Sequence, residues 1–201
     1  MAVNKDPVIK RCRKLGISPA VMGVYYKSSR FAKDKSGMHK KVSEYGLQLT
    51  EKQKLKFIYG MMETPFRHYF EIAAKMEGKA GDNLITLLES RLDNIAYRMG
   101  LASTRREARQ LVGHGHFSVN GIKVDIPSYR VKAGDVVTLR EKSRKSPKFK
   151  EIIETGRKGV TPGFLEVSDD LYTAKIVRAP AVSDLDFEVS TQLIVELYSK
   201  N

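Results

Sequence analysis

The chain is poor in cysteine and has no long apolar run. Cys12 is its single cysteine among 201 residues, which excludes an internal disulfide and by itself provides no zinc site. No apolar stretch approaches the length of a membrane-spanning helix, and the N-terminal residues show no apolar core of a signal peptide. We therefore expect a cytoplasmic protein that has no membrane partner, binds no metal and needs no other cofactor.

Acidic residues are outnumbered by basic ones, 23 to 36, which leaves a formal net charge of +13. The basic excess lies in residues 1–56 and 142–158, whereas residues 159–201 are acidic. This charge favours a polyanionic partner, and nucleic acid is a better candidate than a membrane surface. The acidic end is expected to face protein or solvent.

The sequence also lacks a convincing catalytic constellation. Asp93 and Asn94 lie in a predicted helix, but a single carboxylate without a paired acid or base is more typical of a surface partner for arginine. We therefore predict that the protein is not an enzyme.

The clearest local pattern begins at Thr104. Thr104 and Glu107 form a capping box, which predicts a helix that starts near Arg105 and ends at the glycines 113 and 115. Arg105, Arg106 and Arg109 fall off the apolar stripe of this helix, so we expect them on its outer surface.

A β-hairpin is predicted directly after this helix. Residues 117–119 alternate as a strand, and Asn120-Gly121 is the strongest short signal for a hairpin, because a type I′ turn needs positive φ at both central residues. Together the helix, the turn and the hairpin present hydrogen-bond donors that suit phosphates. The residues predicted to bind nucleic acid here are Arg91, Arg98, Ser103, Arg105, Arg106, Arg109, Gln110, His114, His116, Ser118, Asn120 and Lys123.

Residues 1–45 show no sustained apolar period and predict a basic extended arm that orders on a partner. Its Tyr25, Tyr26 and Phe31 are suited to stacking on bases; the alternative is a basic tail with nonspecific attraction for polyanions. The arm and the basic linker at 142–158 add the following residues to the set predicted to bind nucleic acid, for which the family resemblance described below implies RNA: Lys10, Arg11, Arg13, Lys14, Arg30, Lys40, Lys41 and Lys145.

The remaining patterns predict an α+β fold. A helical N-terminal domain at 46–90 would begin with a capping box at Thr50 and Gln53, and a long helix would run from Asp82 to Met99. Residues 91–158 would form a module of two helices packed on a small twisted antiparallel sheet, followed by a basic linker with a helix at 147–155.

Three segments resemble a known family. The stretch RLDNIAYRMGLASTRREARQLVGHGHFSVNGIKV (Arg91–Val124) resembles the RNA-binding module of the bacterial small-subunit ribosomal protein S-four family. That module also occurs in some pseudouridine synthases, some tyrosyl-tRNA synthetases and a heat-shock RNA-binding protein. GLQLTEKQKLKFIYGMMETPFRHYFEIAAK and FEVSTQLIVELYSKN resemble the ribosomal family alone. Many family members bind zinc through several N-terminal cysteines, and this chain departs from them.

The resemblance implies a structural constituent of the small ribosomal subunit. It implies primary binding to the 5′ domain of small-subunit ribosomal RNA and a role in assembly of that domain. It further implies ribosomal-protein neighbours where messenger RNA enters the subunit, an influence on translational accuracy, and repression of the protein's own messenger RNA. Residues 159–201 are expected to pack back on the N-terminal helices.

Two other functions are compatible with the module alone. An RNA-modifying enzyme would need a separate catalytic domain, and residues 142–201 are too short and too poor in candidates to supply it. A stand-alone RNA chaperone would not need the helical N-terminal half. The ribosomal interpretation is therefore preferred.

Overall fold

The computed structural model describes residues 7–24, 43–155 and 161–199, which form two compact units. One unit contains the described parts of 1–81 and 186–201, and the other contains those of 82–185. The first is helical and the second combines helices with an antiparallel sheet. The predicted α+β class is confirmed.

The helices of the first unit are α1 (Val8–Leu15), α2 (Glu44–Ile58), α3 (Glu63–Lys75) and α9 (Thr191–Ser199). Helix α4 (Ala80–Glu89) contains the boundary between the units. The second unit continues with α5 (Leu92–Arg98), α6 (Arg105–Gly113), β1 (Phe117–Val119), β2 (Ile122–Val124), β3 (Val136–Leu139), α7 (Glu141–Arg144), α8 (Pro147–Thr155), β4 (Leu165–Val167) and β5 (Thr173–Ile176).

In the first unit the C-terminal helix α9 packs on α2 and contacts α3 through Tyr198. Tyr198 stacks on Phe70 with ring centroids 4.4 Å apart, and its hydroxyl donates to Glu63 at 3.2 Å. The amide of the buried Gln48 donates to Glu196 at 3.1 Å. Apolar stacking and these polar contacts together hold α9 against the two helices.

Helix α2 begins earlier than the sequence predicts. Its cap is Ser43, whose hydroxyl accepts from the Gly46 N–H at 3.2 Å. The predicted capping residue Thr50 lies inside the helix, where its hydroxyl donates to the Gly46 carbonyl at 2.7 Å. The Thr50 and Gln53 prediction was wrong because a threonine hydroxyl can also bond back to the preceding turn of a helix.

The long helix predicted from Asp82 to Met99 is interrupted. Arg91 is extended, with φ −71° and ψ 139°, and separates α4 from α5. The interruption lets this segment pair with residues 129–131: the Leu92 N–H donates to the Tyr129 carbonyl at 2.8 Å, and the Val131 N–H donates to the Ser90 carbonyl at 2.9 Å. The apolar periodicity of the sequence continues across the break, so periodicity alone does not show that the helix is interrupted.

The sheet has five antiparallel strands in the order β2-β1-β3-β5-β4. The sequence predicts a sheet that lies wholly within 91–158 and a single C-terminal segment at 159–201. In the structure β4 and β5 join the sheet of the second unit, whereas residues from 186 onwards belong to the first unit. Pairing between β3 and β5 is long-range and leaves no local mark on the sequence. The core between sheet and helices includes Ile95, Leu111, Phe117 and Phe149.

The β1–β2 hairpin forms as predicted. Asn120 and Gly121 have φ of 50° and 82°, and Val119 pairs with Ile122 across the turn. The Asn120 side chain also holds the start of β3, because its carbonyl accepts from the Val136 N–H and its amide donates to Asp135, both at 2.9 Å.

Candidate nucleic-acid interface

The start of α6 is capped as the sequence predicts. The Thr104 hydroxyl accepts from the Glu107 N–H at 3.1 Å, and the Glu107 carboxylate accepts from the Ser103 N–H at 2.7 Å. Burial would raise the pKa of Glu107, but hydrogen bonds from Lys148 and the Ser103 backbone outweigh it and lower this pKa. The carboxylate is therefore charged and occupied by the cap and by Lys148.

The three arginines of α6 have different environments, which corrects the expectation that all are on the outer surface. Arg105 is buried: its guanidinium lies 4.4 Å from the Tyr97 ring centroid, and its Nε donates to Asn94 at 3.0 Å. Arg109 is half-buried, 3.8 Å from Asp93. Arg106 is exposed.

Arg91 and Arg98, also predicted to bind RNA, are buried and paired within the chain. Arg91 donates to both carboxylate oxygens of Asp93 at 3.0 and 2.6 Å. Arg98 donates to both carboxylate oxygens of Glu89, each at 3.1 Å. Asp93 is thus part of a buried ion pair and is not a surface residue. We therefore assign Arg91, Arg98 and Arg105 to the core instead of the interface, because a buried charge needs its internal partners.

Arg106, Gln110 and His114 form an exposed row. They are spaced by four residues along α6 and its C-cap, so their side chains lie on one face. Ser103, also exposed, precedes this row.

The row continues onto the turn at Gly115, where two cations converge. The Lys123 side chain lies where a Cβ at Gly115 would be, and Arg140 donates to the Gly115 carbonyl at 3.1 Å. Gly115 has φ 73°, so the turn favours glycine here. Arg106, Gln110, His114, Lys123 and Arg140 are together called the donor strip below.

His116 lies beneath the donor strip and is only partly accessible. Its Nδ1 is 2.9 Å from the Ser143 hydroxyl, and its ring meets Phe149 edge-on with centroids 5.3 Å apart. Burial lowers the pKa of His116, and the nearby charges of His114, Lys148 and Arg140 lower it further. We therefore assign His116 mainly to support of the turn.

Ser118 and Asn120 also make internal contacts. Ser118 is buried and its hydroxyl donates to the Thr138 carbonyl at 3.3 Å. Asn120 is exposed, but its amide is engaged with the start of β3. Both fit a role in hairpin geometry better than phosphate contact.

The other predicted residues lie elsewhere. In the first unit Lys10, Arg13 and Lys14 are exposed on α1, and the half-buried Arg11 donates to Gln53 at 3.4 Å. Lys145 is exposed at the C-cap of α7. Outside the described residues lie Arg30, Lys40 and Lys41, together with the aromatic Tyr25, Tyr26 and Phe31.

Sequence reasoning missed Arg140. It follows β3, and its guanidinium reaches the Gly115 carbonyl only because β1 pairs with β3. The basic residue itself was visible in the sequence, but its place beside Lys123 depends on that strand pairing.

Within the described ranges, no three His, Cys, Asp or Glu side chains are grouped to hold a metal ion. Nor is any helix in these ranges long and apolar enough to cross a membrane.

The chain is similar to known proteins over most of its length. Residues 3–89 match the Ribosomal protein S4/S9 N-terminal domain, and residues 90–137 match the S4 domain. The chain is 50% identical to the small ribosomal subunit protein uS4 of Lachnospira eligens, over 100% of both chains. It is 52% identical to uS4 of Clostridioides difficile, over 95% of this chain and 96% of the relative. It is 49% identical to uS4 of Agathobacter rectalis, over 100% of both chains. These names are those of ribosomal proteins and not of enzymes.

Proposed function

Because the chain belongs to the family of the small ribosomal subunit protein uS4, we propose that its donor strip binds the 5′ domain of small-subunit ribosomal RNA. In this role the protein is an RNA-binding structural constituent of the small subunit and nucleates assembly of the 5′ domain. Contacts with neighbouring ribosomal proteins where messenger RNA enters the subunit would let it influence translational accuracy. Binding of its own messenger RNA by the same strip would repress its synthesis.

The observation that carries this proposal is the donor strip. Its side chains come from α6, the following turn, β2 and the end of β3, which the packed second unit holds in place. Donors held by a folded scaffold lose little conformational freedom on binding, and arginine and lysine contacts to phosphates supply affinity and register. Folded RNA shape would then supply specificity. The exposed cations of α1 in the first unit, Lys10, Arg13 and Lys14, add a second basic surface.

A titration of the full chain with a 5′-domain RNA tests the proposal. The competitor is an unrelated RNA of equal length, and binding is measured over a series of salt concentrations. We expect binding to the 5′-domain RNA to survive competition. Arg106→Ala and Lys123→Ala should each weaken it and lower the slope of log affinity against log salt by about 0.9, the value for one phosphate contact on a duplex.

Lys175→Ala is the matched control, since Lys175 is an exposed lysine on β5 that pairs with Val136 at the start of β3, whereas Arg140 of the donor strip follows the other end of β3. It removes the same charge and should leave affinity and slope close to those of the wild-type chain. Equal loss from the control and the strip variants would show that net charge alone determines binding. Binding that competitor RNA abolishes would favour the stand-alone RNA chaperone instead.

A further inference from the structure

A second feature of the hairpin is apolar. Ile122 is 73% exposed, Ile126 56% and Tyr129 39%, all on β2 or the loop that follows it. Ile122 is the most exposed large hydrophobic residue of the part of the chain that the structure describes. Single exposed apolar residues are ordinary, but β2 is an edge strand, and edge strands are usually protected by charge or by a covering element.

The backbone that carries these side chains is held in place. The Leu92 N–H donates to the Tyr129 carbonyl at 2.8 Å, and the Asp93 N–H donates to the Pro127 carbonyl at 3.1 Å. The Tyr129 N–H closes the turn by donating to the Ile126 carbonyl at 3.0 Å. The exposed apolar side chains therefore project from an ordered backbone. A partner can cover such a surface at a low cost in conformational entropy.

The charges around this surface select a polyanionic partner. Lys123, Arg130 and Lys132 are exposed in the same segment. Asp125 is the one carboxylate between Ile122 and Lys132 in the sequence, and it lies 3.4 Å from the Lys123 ammonium. An acidic macromolecule that also offers apolar area fits this combination.

The surface shares the edge strand β2 with the donor strip. Lys123 directly follows Ile122 on β2, so the two side chains leave opposite faces of this strand, and that of Lys123 reaches Gly115, whose carbonyl accepts from Arg140. RNA has both required properties, since its riboses line a wide, shallow minor groove and its unpaired bases offer apolar faces next to phosphates. We propose, as an extension of the function proposed above, that Ile122, Ile126 and Tyr129 form an apolar RNA contact at the edge strand that also carries Lys123.

The test separates apolar from electrostatic binding by its salt dependence. The double variant Ile122→Thr/Ile126→Thr and the single variant Tyr129→Ser are titrated with the 5′-domain RNA over the same salt series. We expect each to bind about fivefold or more weakly at every salt concentration, because each variant removes apolar area that the RNA would cover, and Tyr129→Ser also removes a ring on which a base can stack. The slope against salt should stay at its wild-type value, since no phosphate contact is lost. Tyr129→Phe, which keeps the ring, should restore binding.

Val177→Thr is the matched control, because Val177 is 47% exposed directly after β5, which β1 and β3 separate from β2 in the strand order. The single variant Ile122→Thr repeats the test with a side chain that has little packing to lose. Wild-type affinity in the Ile122→Thr, double and Tyr129→Ser variants would overturn the inference while leaving the proposed function intact, and would favour a protein as the partner of this surface. Weaker binding with an altered slope would also overturn it. If the wild-type chain does not prefer the 5′-domain RNA over the competitor, the proposed function is refuted, and the inference that rests on it is refuted as well.

Discussion

The buried pair of Glu89 and Arg98 allows a sharp prediction about stability. Glu89 is fully buried and Arg98 is 6% exposed, and two hydrogen bonds of 3.1 Å join them. Arg98→Ala would leave the Glu89 carboxylate in the core with the Asn94 amide, 2.8 Å away, as a neutral partner. Removal of one partner from a buried pair costs about 3–5 kcal/mol, a large part of the 5–15 kcal/mol that typically stabilises a domain.

Urea unfolding followed by circular dichroism measures this loss, with Arg106→Ala as the control because Arg106 is exposed on α6. The control should change the free energy of unfolding by less than about 0.5 kcal/mol. The double variant Glu89→Leu/Arg98→Leu should recover much of the loss, because it leaves no unpaired charge in the core. Near-wild-type stability in Arg98→Ala, together with weaker RNA binding, would refute the argument and return Arg98 to the RNA interface.

Two further predictions concern the hairpin and the first unit. Asn120→Ala should lower the free energy of unfolding by about 1–3 kcal/mol, because it removes the amide contacts with the start of β3 and places alanine at φ 50°; unchanged urea unfolding would contradict this. Burial would raise the pKa of Glu63, but hydrogen bonds from Lys52 and Lys56 lower it to about 2. Since this pKa lies below the unfolded value of about 4.3, Glu63 should stabilise the fold above that pH and lose its contribution as the pH falls towards 2. Glu63→Gln should therefore unfold at a lower urea concentration than the wild-type chain at pH 7 and close to it at pH 2; an equal difference at both pH values would argue against the ion pairs.

Local signals in the sequence were sufficient for several elements. The cap of α6 rests on residues three or four apart, and the hairpin turn rests on the tolerance of Asn120 and Gly121 for positive φ. Short-range hydrogen bonds and backbone sterics determine such features, so their residue types identify them. The same locality caused the error at Thr50, whose hydroxyl had two local bonding options, one as a cap and one inside the helix.

The RNA-binding role of the candidate residues stays a prediction, but their exposure is observed. Arg106, Gln110, His114 and Lys123 belong to the set that the sequence predicts to bind RNA, and the structure exposes them. Arg105 was expected on the same surface because periodicity shows only that a residue lies off the apolar stripe. Its burial depends on the Tyr97 ring and the Asn94 amide, both on another helix.

The sequence by itself therefore determined the family, the α+β class and the local geometry from the α6 cap to the hairpin. Tertiary structure alone decided which charges are buried, where the long helix breaks and which strands complete the sheet. Arg91 and Arg98 are buried because carboxylates on neighbouring segments pair with them. Arg140 joins the donor strip because β3 pairs with β1. The pairing of β3 with β1 joins residues that are distant along the chain, and composition and periodicity carry no record of which distant residues meet. The ion pairs of Arg91 and Arg98 are closer in sequence, but they depend on the break between α4 and α5, which periodicity does not show.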